Sequence, residues 1–122
     1  MKNILLSAIV ILFLVAPGWA EEESTIGDML KAYDQGSADY RVSWEQYIGN
    51  QGFGMTFANS ALHNQGRALL YCLPNGEVPS NARHFLLFRR LVEEMRYPLE
   101  KPTGYSGVYL IMALMERFPC KR

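Results

Sequence analysis

The chain has 122 residues, 49% of them hydrophobic and 20% charged, with twelve basic side chains balanced by twelve acidic ones. That length holds one small domain, near the size at which a single core becomes thin. The charge balance removes the electrostatic case for binding nucleic acid or an anionic membrane surface.

Residues 1–20 read as a secretory signal peptide. Lys2 supplies the positive start, residues 4–15 are an almost unbroken apolar run, and Pro17 breaks it. Gly18-Trp19-Ala20 sets small residues at both cleavage positions, so cleavage is expected after Ala20. The apolar run is too short for a comfortable membrane anchor, which needs about 20 residues. The expected product is an exported domain over 21–122 with no membrane association after cleavage. Its opening Glu21-Glu22-Glu23 reads as a solvated tail.

Four helices follow from caps and periodicity. Thr25-Ile26-Gly27-Asp28 has the order of a capping box. Ile26, Met29, Leu30 and Tyr33 then recur at helical spacing, and Gly36 stops the helix. Ser37 caps a long second helix, 38–64, whose predicted stripe is Tyr40, Trp44, Tyr47, Ile48, Met55, Ala58 and Leu62. Gly49, Gly52 and Gly54 interrupt it, each costing about 1 kcal/mol relative to alanine. They either break the helix or let another backbone come close. The apolar period continues beyond them, which favours close packing. A phosphate-binding loop would need a preceding strand and a glycine fingerprint, and neither is there.

Gly66 ends the long helix, Pro74 interrupts the chain after Cys72, and Asn75-Gly76 is a turn. Ser80 caps a third helix with the stripe Phe85, Phe88, Leu91, Val92 and Met95. Arg83, Arg89, Arg90, Glu93, Glu94 and Arg96 fall mostly outside that stripe. Tyr97-Pro98 closes the helix. After a breaker-rich connection, Ser106 is read as the cap of a fourth helix with stripe Val108, Ile111, Leu114, Met115 and Phe118. No run alternates as a half-buried strand does. The predicted fold is all-α, a small helical bundle of about four helices.

Cys72 and Cys120 are the two cysteines of an exported chain, and the pair reads as one disulfide stapling the bundle. Two free thiols are one alternative. A Cys72–His84 nucleophile pair is another, but its thiolate would have to survive an oxidising compartment beside Cys120. His63 and His84 lack metal-ligand spacing with each other and read as surface or half-buried residues. Ser60 and Ser106 lack a nucleophile-elbow context. No cofactor, metal or catalytic set is called for, and binding is the default work of such a domain.

The string Gly66-Arg67-Ala68-Leu69-Leu70-Tyr71-Cys72-Leu73-Pro74 resembles the first signature of the Rap/Tai family of type VI secretion amidase-immunity proteins. Ala113-Leu114-Met115-Glu116-Arg117-Phe118-Pro119-Cys120 looks like the second. Tyr47-Ile48-Gly49, Gly52 and Ala58-Asn59 fit the family's glycine-bearing long helix. Some members carry a second cysteine pair, and this chain has one. The resemblance implies a periplasmic, all-helical, homodimeric protein that is not an enzyme. Its partner would be a peptidoglycan amidase effector, a Cys-His enzyme injected by a neighbouring cell, which it binds and inhibits. An acid-stress holdase chaperone of the periplasm is the alternative, since those are also small, helical, exported and singly disulfide-linked.

An inhibitor of a cleft enzyme needs a rigid protrusion. The connection between the last two helices is the expected partner-binding segment, through Tyr97, Leu99, Glu100, Lys101, Thr103, Gly104 and Tyr105. Pro98 and Pro102 restrict its backbone, and tyrosines flank it, a residue type enriched at binding hot spots. The charged face with Arg83, Arg90 and Glu94 is the next candidate. The expected dimer contact is the long helix or the helix over 80–97.

Overall fold

In the computed structural model, which describes residues 23–121, four helices carry the fold as the pattern predicts. They are α1 (Ile26–Gln35), α2 (Ala38–Asn64), α3 (Asn81–Met95) and α4 (Ser106–Arg117). Single 3₁₀ turns at Pro74–Gly76, Tyr97–Glu100 and Thr103–Tyr105 mark the connections. No strand occurs among the described residues, only an isolated antiparallel bridge between Thr25 and Pro102. The expected signal peptide, residues 1–20, and its expected cleavage point lie outside the described residues.

α3 is the central helix, packed against both α2 and α4. Its Phe85, Phe88, Leu91 and Val92 are buried, as their spacing predicts. α1 adds Ile26, Met29 and Leu30, and α4 adds Tyr109, Leu110, Ala113 and Leu114. Each of the larger side chains contributes about 1.5–3 kcal/mol by leaving water. The capping box forms as read: the Asp28 amide donates to Thr25 Oγ1 at 3.1 Å, and the Thr25 amide donates to Asp28 Oδ2 at 3.2 Å. Ser37 and Ser80 cap α2 and α3 with one bond each, their hydroxyls accepting from the Tyr40 and Arg83 amides.

The glycines of α2 do not break it. The helix runs uninterrupted from Ala38 to Asn64, and Gly49 and Gly52 lie against Asn81 and His84 of α3. Gly54 faces open space. The buried line of α2 is therefore Ile48, Gly49, Gly52 and Asn59. This corrects the predicted stripe, which is rotated from it by about a quarter of a 3.6-residue turn. Tyr40 and Tyr47 are exposed, and they sandwich Trp44 edge-to-face at centroid distances of 6.2 and 5.7 Å. The physical reason is the close approach: where two helix backbones nearly touch, glycine marks the contact and the large side chains are pushed to its rim.

α4 is also turned from its expected face. Ser106, Tyr109, Leu110, Ala113 and Leu114 are buried, while Val108, Met112 and Met115 are exposed. Ser106 is not a cap but the first helical residue, buried, with its hydroxyl against the Gln51 side chain of α2.

The Cys72–Cys120 disulfide is formed, across 48 positions of sequence. The Cys72 amide donates to the Phe118 carbonyl at 2.8 Å beside it. Both free thiols and a Cys72–His84 nucleophile are thereby excluded. The approach to Cys72 is held by Asn59, which is 6% exposed. Asn59 Nδ2 donates to the Tyr71 carbonyl and its Oδ1 accepts from the Leu70 amide, both at 2.8 Å. The Tyr71 hydroxyl lies 2.9 Å from Thr56 Oγ1.

Candidate functional site

The connection between α3 and α4 is built as a double turn tied to the start of α1. Arg96 ends α3 with φ 65°, a left-handed backbone costly for a side chain of its size. Its carbonyl then accepts from the Leu99 amide at 3.0 Å, and Pro98 is buried beneath the turn. The Lys101 carbonyl accepts from the Ile26 amide at 2.9 Å. Thr103 donates to the Ser24 carbonyl twice, from its amide at 2.9 Å and its hydroxyl at 2.7 Å. The backbone of the loop is thus fixed at both ends and again in its middle.

The predicted binding residues divide into two groups. Tyr97 and Tyr105 are each 53% exposed, and Glu100, Lys101 and Gly104 are exposed too. Leu99 packs against the core, and Thr103 is spent on Ser24. Both are half-buried, and they help to hold the loop in place. Sequence reasoning missed Tyr109, which lies beneath the loop with its ring edge-on to Tyr97 at 6.2 Å. Burial pushes the Tyr109 phenol above its ordinary value, and the nearby phenols of Tyr97 and Tyr105 push it further. Three tyrosines therefore meet at one end of the bundle, beside Glu100 and Lys101. The fourfold spacing of Tyr97, Lys101, Tyr105 and Tyr109 was visible in the chain, but the intervening prolines concealed it.

The second candidate face is mostly self-satisfied. Arg90 Nε donates to Glu94 at 2.9 Å, and Arg89 pairs with both Glu93 and Asp34. Asp34 is held below the ordinary carboxylate range, first by its hydrogen bond from Arg89. Arg83 is exposed on the same helix. Half-exposed pairs of this kind contribute little and leave few free charges for a partner.

The two histidines part company. His63 is exposed, whereas His84 is fully buried, against the expectation of a surface or half-buried residue. Among the described residues no group of three or more His, Cys, Asp and Glu side chains could hold a metal ion, and no helix is long and apolar enough to cross a membrane.

Comparison with protein-family models, with curated proteins and with solved structures gives no match to this chain.

Proposed function

We propose that the protein is a periplasmic immunity protein that binds and inhibits a peptidoglycan amidase delivered by type VI secretion. The observation that carries this reading is the α3–α4 loop, a connection fixed by Ile26 and Ser24 and displaying Tyr97 and Tyr105. A pre-fixed loop loses little conformational freedom on docking, and tyrosine offers large contact area with few rotors. The disulfide supports the reading further, because it joins the two strings that resemble the family signatures. In this reading the protein acts as a homodimer, contributes no catalytic group and needs no cofactor.

The test is cell-wall digestion by any peptidoglycan amidase encoded beside this gene, with and without the mature protein. Protection at near-stoichiometric ratio is expected. Replacing Glu100, Lys101 and Tyr105 together by alanine should weaken inhibition at least tenfold, about 1.4 kcal/mol, with little change in melting temperature. Leu99 is left intact because its removal would disturb the core. Unchanged inhibition by the folded triple variant refutes the loop as the docking site, and light scattering at a monomer mass refutes the dimer.

The acid-stress holdase reading is favoured by one feature, the exposed apolar line Val108, Met112 and Met115 on α4. The two readings separate by behaviour. A holdase suppresses aggregation of many unrelated proteins at low pH, and an immunity protein has one tight partner at neutral pH.

A further inference from the structure

Where α2 crosses α3, two polar side chains sit in the contact made by the glycines. Asn81 faces Gly49 and His84 faces Gly52, one helical turn along. His84 is 0% exposed. Its Nδ1 lies 3.0 Å from the carbonyl of Ser80, the cap of its own helix, which assigns the neutral ring's proton to that nitrogen. Nε2 is turned toward Gly52 and has no hydrogen-bond partner among the described residues. Asn81 Oδ1 is likewise buried without a partner. The Phe53 ring covers the imidazole at 5.8 Å.

We propose that this seam is an acid-triggered release, in which a second proton on His84 parts α2 from α3 at Gly52. Protonation places an N–H and a full charge at Nε2. A buried charge without a partner costs several kcal/mol and is relieved by reaching water. The ring is fully buried with Gly52 close against its Nε2 edge, so the nearest relief is separation of the two helices there. Among the described residues, those packed closest to the ring offer no countercharge. On α2, Gly52, Phe53 and Thr56 carry none, and Glu45 is taken by the Tyr33 hydroxyl at 2.8 Å. On α3, Arg83 is exposed and would repel the imidazolium. Tyr71, packed against α2, is neutral and bonded to Thr56. Burial holds the His84 imidazole below its ordinary value, with the Ser80 carbonyl opposing in part.

The sign follows from linkage. Between the folded and unfolded values of His84 the unfolded chain binds the extra proton, so stability is full above about pH 6.5 and falls as pH drops below it. One such proton lowers the folding constant by up to about tenfold per pH unit.

Two measurements on the disulfide-intact mature protein test this. Urea unfolding at pH 7.5 and 5.5 should show a folding constant up to about tenfold lower at the acid pH, and His84→Gln should remove most of that loss. Hydrogen exchange in the wild type, corrected for intrinsic rates, should show 49–56 of α2 and the first turn of α3 losing protection at pH 5.5 before α4 does. Equal loss of protection in all four helices, or an undiminished pH response in His84→Gln, overturns the proposal. Should that variant fail to fold, ring NMR of the wild type decides: an imidazole of His84 that protonates above pH 6.5 overturns it.

Discussion

Gly52→Ala is the sharpest test of the α2–α3 contact. A methyl at residue 52 would lie 2.8 Å from His84 Cγ and closer still to two other ring atoms, where ordinary contacts run 3.4–4 Å. The ring is fully buried, so making room for the methyl means displacing it within a packed core or separating the helices. Overpacking of this kind costs about 1–3 kcal/mol, and the trapped ring argues for the upper end. Alanine returns about 1 kcal/mol through helix propensity. The net expectation is a loss of about 2 kcal/mol, or roughly 8–16 °C in Tm for a domain of this size. Gly54→Ala is the matched control, two residues along the same helix. A methyl there meets nothing within 4 Å, so it keeps the propensity gain of up to about 1 kcal/mol. Thermal unfolding followed by circular dichroism reads both. If Gly52→Ala melts at or above the wild type, the close approach does not limit the packing and the argument fails.

Replacing Cys72 and Cys120 by serine should lower stability by about 4 kcal/mol, from the chain entropy of the 48-position loop, as read from urea midpoints. Peptide mapping without reductant should recover the two cysteines in one linked fragment. Asn59→Leu should lose about 2–4 kcal/mol by leaving the Leu70 amide and Tyr71 carbonyl unpaired, whereas exposed Ser60→Ala should change stability by less than about 0.5 kcal/mol.

Helix existence was legible because it depends on local signals. Thr25, Ser37 and Ser80 each form the cap that their position announced. The Asn75-Gly76 turn and the stop at Gly66 were equally local, while the disulfide was read from the count of two cysteines in a chain expected to be exported. Helix orientation was less legible. A stripe of Tyr40, Trp44 and Tyr47 looks like a buried face, yet in α2 burial follows Gly49 and Gly52, which hydropathy scores as nothing. Ser106 looked like a cap because it follows a breaker-rich stretch, and only the position of Gln51 explains its burial. The same limit applied at the candidate site. The loop was visible from its prolines and tyrosines, but no local signal revealed that Ser24 and Ile26 would hold it.

That long-distance tie has a bearing on the order of assembly. Synthesis runs from the N-terminus, so α1 exists as chain long before Lys101 and Thr103 emerge to receive it. Ser24 waits 79 positions for Thr103. Contacts so distant in sequence form late, after closer ones have paid their own loop entropy. α2, α3 and α4 can gather around Phe85 and Phe88 first, with α1 docking last onto the loop. Until it docks, residues 97–105 lack their outer support and remain slack. The stiffness proposed for partner binding would therefore appear only at the final step, so a chain caught with α1 undocked would lack Ile26, Met29 and Leu30 from its core and the grip of its loop as well.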